Sequence, residues 1–134
     1  MQLRPEPSSV DGRLAGRTAV VTASSRGIGL AIAHRFVDEG ARVIITGRDP
    51  AALQEAAAGF QEGTVLSVSG NATDPLHQRS VLDAAADVLG GLDILVNCAG
   101  TNPVYGPLLD LDLDAARKIL ETNLLTALAW VKSA

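Results

Sequence analysis

Four short apolar runs, each followed by a helical pattern, constrain this chain more than any other feature. The runs cover residues 17–22, 42–46, 64–69 and 93–97. After the first, Ile28, Ile32 and Phe36, with Ala33 and Val37, recur at three- and four-residue spacing, the period of a helix with one apolar face. Gly40 is placed to end that helix. Asp49-Pro50 and Asp74-Pro75 each supply a capping carboxylate followed by a first-turn proline. The helix from Asp74 runs to about Leu89, where Gly90 and Gly91 stop it. A Gly/Pro loop spans about 99–107, and a last helix begins near Asp112 or Asp114.

Strands alternating with helices imply right-handed crossovers and a parallel sheet. The runs are continuously apolar, which predicts burial on both faces. This is an α/β architecture, and the expected form is the first part of a Rossmann-type doubly wound sheet with strand order 3-2-1-4. A flavodoxin-like order fits the same pattern. At 134 residues there is room for one domain. Aromatics make up 3% of the chain, so the core must be built from Ala, Val, Leu and Ile. Residues 1–13 are polar with two prolines and read as a flexible tail, leaving 14–134 as the folded part.

Several function classes recede on composition. A net charge of −4 and scattered basic residues argue against nucleic acid, which calls for a basic face. The N-terminus lacks the apolar core of a signal peptide, and no run reaches the length of a membrane span. The single cysteine, Cys98, cannot form an internal disulfide. Together these predict a cytoplasmic protein with no membrane partner, and no metal site is expected.

The first strand-to-helix turn reads Thr22-Ala23-Ser24-Ser25-Arg26-Gly27-Ile28-Gly29. A turn at that place offers free backbone N–H groups and the positive end of a helix dipole, a geometry suited to a pyrophosphate. Gly27 and Gly29 would let the backbone approach the phosphates and let helix and strand pack closely. The competing reading is a plain tight turn. About 20 residues on, an acidic residue would hold the ribose hydroxyls of NAD. Here Gly47 stands in that place and Arg48 follows it. Arg26 and Arg48 flanking one site suit a 2′-phosphate, which favours NADP over NAD. Asp49 is the rival acid, although capping before Pro50 accounts for it, and Arg48 could equally be a solvated loop residue.

The turn resembles the Thr-Gly-x-x-x-Gly-x-Gly signature of the short-chain dehydrogenase/reductase family, with Ala23 in place of the first glycine. The resemblance extends over residues 14–134 and includes members similar to 3-oxoacyl-acyl-carrier-protein reductases. The added methyl is compatible with binding if residue 23 keeps a negative φ. The resemblance implies that Ser24 and Ser25 offer hydroxyls near the adenosine ribose or phosphate, and that the turn including Ile28 borders the cofactor. It implies that Asn71, with Ala72 beside it, meets the adenine: Asn71 stands where the family commonly has an Asp, and its carbonyl oxygen can accept the same bond. A turn residue at a strand end is the alternative for Asn71. Asn97-Cys98-Ala99-Gly100 resembles the family's Asn-Asn-Ala-Gly motif, so Asn97, Ala99 and Gly100 are expected along the ribose and nicotinamide. Cys98 reads as a small buried filler.

The last helix carries Ala116, Leu120, Leu124, Ala127 and Val131 on one stripe, with Asn123 beside it. A buried amide needs partners, because leaving it unpaired costs about 1–3 kcal/mol. Thr122-Asn123-Leu124 matches the place where the family keeps an Asn that anchors a proton-relay water; a satisfied structural Asn is the alternative. The family's Ser and its Tyr-x-x-x-Lys are not found. The one tyrosine, Tyr105, has Leu109 four residues on, and neither Lys118 nor Lys132 follows a Tyr at that spacing. The expectation is an NADP-binding portion of an oxidoreductase acting on a small-molecule carbonyl or alcohol, truncated after the fourth strand and following helix and inactive alone. The alternatives are a non-catalytic binding module, a half-protein needing a second chain, or a decayed product. An open edge beside 93–97 and an exposed apolar stripe predict association through the last helix, with a second copy or a complementing chain.

Overall fold

The computed structural model describes residues 12–134. Most of the expected tail therefore lies outside the described residues. At its border, Arg13 donates from its backbone N–H and its guanidinium to Glu39, each at 3.0 Å. The strands are β1 (Thr18–Val21), β2 (Arg42–Gly47), β3 (Val65–Ser69) and β4 (Ile94–Val96). They form one parallel sheet in the order β3-β2-β1-β4, with Val20 level with Ile44 and with Leu95. That order is the doubly wound one, and it excludes the flavodoxin-like alternative.

The helices are α1 (Gly27–Asp38), α2 (Pro50–Ala58), α3 (Pro75–Ala84), α4 (Leu113–Leu120) and α5 (Thr126–Ser133). Capping follows the sequence. Asp49 accepts from Ala51 N–H at 3.0 Å, and Asp74 from Leu76 N–H at 2.9 Å. Gly40, at φ +90°, closes α1 as the Phe36 carbonyl accepts from Ala41 N–H. Two features had no sequence signal. A π turn over Ala85–Leu89 ends the third helix, and a second over Glu121–Leu125 joins α4 to α5. In the latter the Thr126 hydroxyl donates to the Glu121 carbonyl at 2.9 Å, stabilising the widened turn.

Side chains alternate across the sheet, so each strand feeds two cores. Ala19, Val21, Val43 and Ile45 pack against α1 and α2 through Ile32, Phe36 and Leu53. Val20 and Ile44 pack on the other face against Val81, Leu89 and Trp130 of the third and last helices. The expectation of burial on both faces holds for β1 and β2 only. β3 and β4 are edge strands, Ser67 and Ser69 are exposed, and β4 has no second partner strand among the described residues. The last helix is also turned differently from the expected stripe. It buries Thr126 and Trp130, while Leu120, Leu124 and Val131 remain 51–62% exposed. Among the described residues no helix is long and apolar enough to cross a membrane.

Candidate functional site

The carboxyl ends of all four strands open into one cleft of about 500 Å³, within the range of small-molecule sites. Its floor is the turn after β1. Four helices start near this end of the sheet or above it, and three carry an Asp cap: Asp49, Asp74 and Asp112. Helix α1 does not. Arg26 at its N-cap gives no side-chain bond, and its first turn holds no acid. Its leading N–H groups and dipole are thus left to an external anion. The glycines serve close approach. A Cβ at Gly29 would sit 2.6 Å from the Ala23 carbonyl oxygen, so only glycine allows the helix to start this near the strand. Gly27 has φ +60° and nothing within 4 Å of a Cβ position, so a side chain there would enter the cleft.

Ala23 departs from the sequence expectation. Its φ is +50°, not negative, and it is the one non-glycine residue with positive φ among those described. The turn has kept the left-handed conformation that suits glycine, and the alanine carries the cost. The cleft beside it is still open, with Ala23 on its wall.

Of the residues expected to bind the cofactor, Ser25, Arg26, Gly27, Ile28, Gly29, Arg48, Asn71, Ala72, Ala99 and Gly100 line the cleft. Ser24 does not. It is fully buried, donating to the Val21 carbonyl at 2.6 Å and accepting from Thr46 N–H at 3.0 Å. Its hydroxyl ties the turn to β2 and is not presented to a ligand. Asn97 also lies outside the lining, because it directly follows β4 while the lining resumes at Cys98. Asn71 lines the cleft, but its carbonyl oxygen already accepts from the backbone N–H and the hydroxyl of Thr73, at 3.1 and 3.0 Å. The turn role and the ligand role thus compete for one atom.

Electrostatics favour anions. The charged lining residues are Arg26, Arg48 and Lys118, and no carboxylate lines the cleft. Gly47 explains the missing acid: a Cβ there would meet Ser25 Cβ and Oγ at 3.0 Å. Asp49, the rival acid, is held at the α2 cap and does not reach the lining. Cys98 lines the cleft with its thiol pushed up by burial, so it is not poised as a thiolate.

The wall after β4 is held by residues the sequence reading passed over. Buried Thr22 accepts at its hydroxyl from Cys98 N–H at 2.9 Å and Ala99 N–H at 3.1 Å. The signal was available, since Thr22 is a polar residue that directly follows the apolar run Ala19-Val20-Val21. Asn123 clamps the next peptide, accepting from Thr101 N–H at 2.7 Å and donating to the Thr101 carbonyl at 2.9 Å. Its amide is exposed, not buried as expected, and the Thr101 backbone supplies the partners. On the adenine side expected for Ala72, that residue's carbonyl accepts from Gln78 at 2.9 Å and from the Trp130 indole at 3.1 Å. Tyr105 is fully exposed in the loop and outside the lining.

The chain matches the family model described as short chain dehydrogenase over residues 17–134. A dehydrogenase/reductase SDR family member 4 from Oryctolagus cuniculus is 40% identical over 116 residues, covering 82% of this chain and 43% of that protein. The 1-deoxy-11-beta-hydroxypentalenate dehydrogenase of Streptomyces exfoliatus is 38% identical, covering 80% of this chain and 40% of its own length. The apo crystal structure of a Caenorhabditis elegans glucose dehydrogenase superposes with a TM-score of 0.78 at 37% identity, over 91% of this chain and 49% of that one. The chain thus spans less than half the length of the relatives it matches.

Proposed function

Because the chain belongs to the short-chain dehydrogenase family, an oxidoreductase family, we propose that its cleft binds NADP(H) in preference to NAD(H). The single observation that carries this is the uncapped N-terminus of α1 facing a cleft that holds Arg26 and Arg48 and no acid. The first-turn amides suit the diphosphate. The guanidiniums suit a 2′-phosphate, and the tight contact with Ser25 at Gly47 disfavours a side chain where NAD would call for a carboxylate. When bound, the cofactor would supply hydride chemistry between its nicotinamide and a carbonyl or alcohol. Ser25 and Asn71 are proposed to meet the adenosine end, and Ala99 and Gly100 to flank the ribose and nicotinamide. Asn123 is assigned a positioning role through Thr101.

The 134-residue sequence holds no Tyr four residues before a Lys. We therefore propose that these 134 residues bind the cofactor without turning over substrate, acting as the cofactor-binding portion of a cytoplasmic oxidoreductase. Titrating the purified chain into NADPH and following nicotinamide fluorescence should give saturable binding. Arg48→Ala should weaken NADPH by about tenfold, the value of one charge-assisted phosphate bond, and leave NADH nearly unchanged. Equal losses would overturn the preference. The absence of saturable binding at millimolar cofactor would overturn the binding itself, and ketone reduction by the chain alone would overturn the inactivity.

A further inference from the structure

We propose that Lys118 is a ligand-binding residue that holds, within the cleft, negative charge shared by both nicotinamide dinucleotides. The inference rests on the dinucleotide reading above.

The first observation is the company Lys118 keeps. It has carboxylates within helical reach on both sides, Asp114 four residues before and Glu121 three residues after. Pairs at those spacings are ordinarily favourable. Asp114 instead takes Arg117 at 2.7 Å, and Lys118 enters no ion pair among the described residues. Lys118 lines the cleft, as does Thr122 one turn further on, so both belong to the same face of the helix.

The second observation is position. Helices α1 and α2 cover one face of the sheet, and Trp130 of α5 covers the other together with α3. Helix α4 runs through its π turn into α5 and brings Lys118 to the cleft on a different element from those that carry Arg26 and Arg48. Arg26 and Arg48 flank the end of β2, where a 2′-phosphate would be held. Lys118 is the cation that α4 adds to the lining, and with the 2′-phosphate assigned to the two arginines it is given the charge common to NADPH and NADH. A cation in a cleft whose lining holds no carboxylate also raises the local concentration of an anionic ligand.

The test is Lys118→Met in the purified chain, which keeps the apolar stem and removes the charge. Lys118 is exposed, so the fold is not at stake, and matching circular dichroism spectra check this. At low salt the variant should bind NADPH and NADH each about fivefold more weakly, the value of one partly screened charge, with a smaller loss as salt rises. Lys118→Arg should bind as the parent does. Unchanged affinity for both dinucleotides would overturn the proposal. A loss confined to NADPH would also overturn it, because that result places Lys118 at the 2′-phosphate. If the parent chain binds neither dinucleotide, the reading of the cleft fails first; if the parent binds and Lys118→Met matches it, only the present inference fails.

Discussion

Replacing Ala23 with glycine should stabilise this protein, although glycine ordinarily weakens a fold. Ala23 sits at φ +50°, a left-handed conformation in which its Cβ crowds the carbonyl. That conformation costs an L-residue roughly 1–2 kcal/mol. Glycine removes the cost and adds about 0.4–1 kcal/mol of its own through greater freedom of the unfolded chain. The methyl is exposed, so its removal leaves no core cavity. The bond from Ala23 N–H to the Thr46 hydroxyl, at 3.3 Å, involves only backbone at this position and survives. The net gain is about 0.8 kcal/mol. For 134 residues this corresponds to a rise in Tm of about 3 °C. Urea unfolding followed by far-ultraviolet circular dichroism reads the gain as a higher midpoint at unchanged slope. Ala23→Val should move the midpoint down, because β-branching fits this region worse still. A glycine variant less stable than the parent would refute the reasoning, for it would mean that the turn in solution does not hold residue 23 at positive φ.

Three further outcomes follow from particular groups. Thr22→Val should cost about 2 kcal/mol in urea unfolding, because Cys98 and Ala99 lose the acceptor of their N–H groups; a neutral effect would show that another acceptor serves that wall. His77 is 94% buried beside Trp130, its Nε2 has no hydrogen-bond partner among the described residues, and burial pushes its pKa below 6.5. The fold therefore prefers the neutral ring, and its contribution is complete above pH 6.5 and is lost as the pH falls below it. His77→Phe should flatten the decline of Tm on the acid side of that value, and an unchanged profile would count against the buried neutral histidine. Glu39 is held at about 2 by bonds from Arg13, with Arg35 assisting, against an ordinary 4.5. Its contribution is present above pH 4.5 and disappears as the pH falls towards 2, so the Tm gap between parent and Glu39→Gln should close over that window. A gap that stays constant would show that the carboxylate is not paired in solution.

The local order of elements was legible because each step has a local cause. Asp49-Pro50 and Asp74-Pro75 start helices through their own carboxylates, and Gly40 ends one through its own φ. The period of apolar residues separated strand from helix, and the alternation of the two implied a parallel sheet. The glycine turn, Arg26 and Arg48 were legible too, since position after the first and second strands is enough to bring them to one crevice.

What pattern could not supply was anything depending on which atoms meet across the sheet. The choice between doubly wound and flavodoxin-like orders came from the pairing of β1 with β4. Ser24 reads as a ligand contact in sequence, but it lies where the turn folds back on β2, and two backbone groups take its hydroxyl. Lys118 and Thr122 carry no local signal that would bring them to the crevice, and they reach it through the packing of the helical run that carries Trp130. Ala23 shows the division most clearly. The sequence determined that a methyl stands where the turn favours glycine. Only the tertiary structure decided that the backbone keeps its left-handed path, because Ser24 and Thr46 tie both sides of the turn to the sheet and leave φ at residue 23 little room to change.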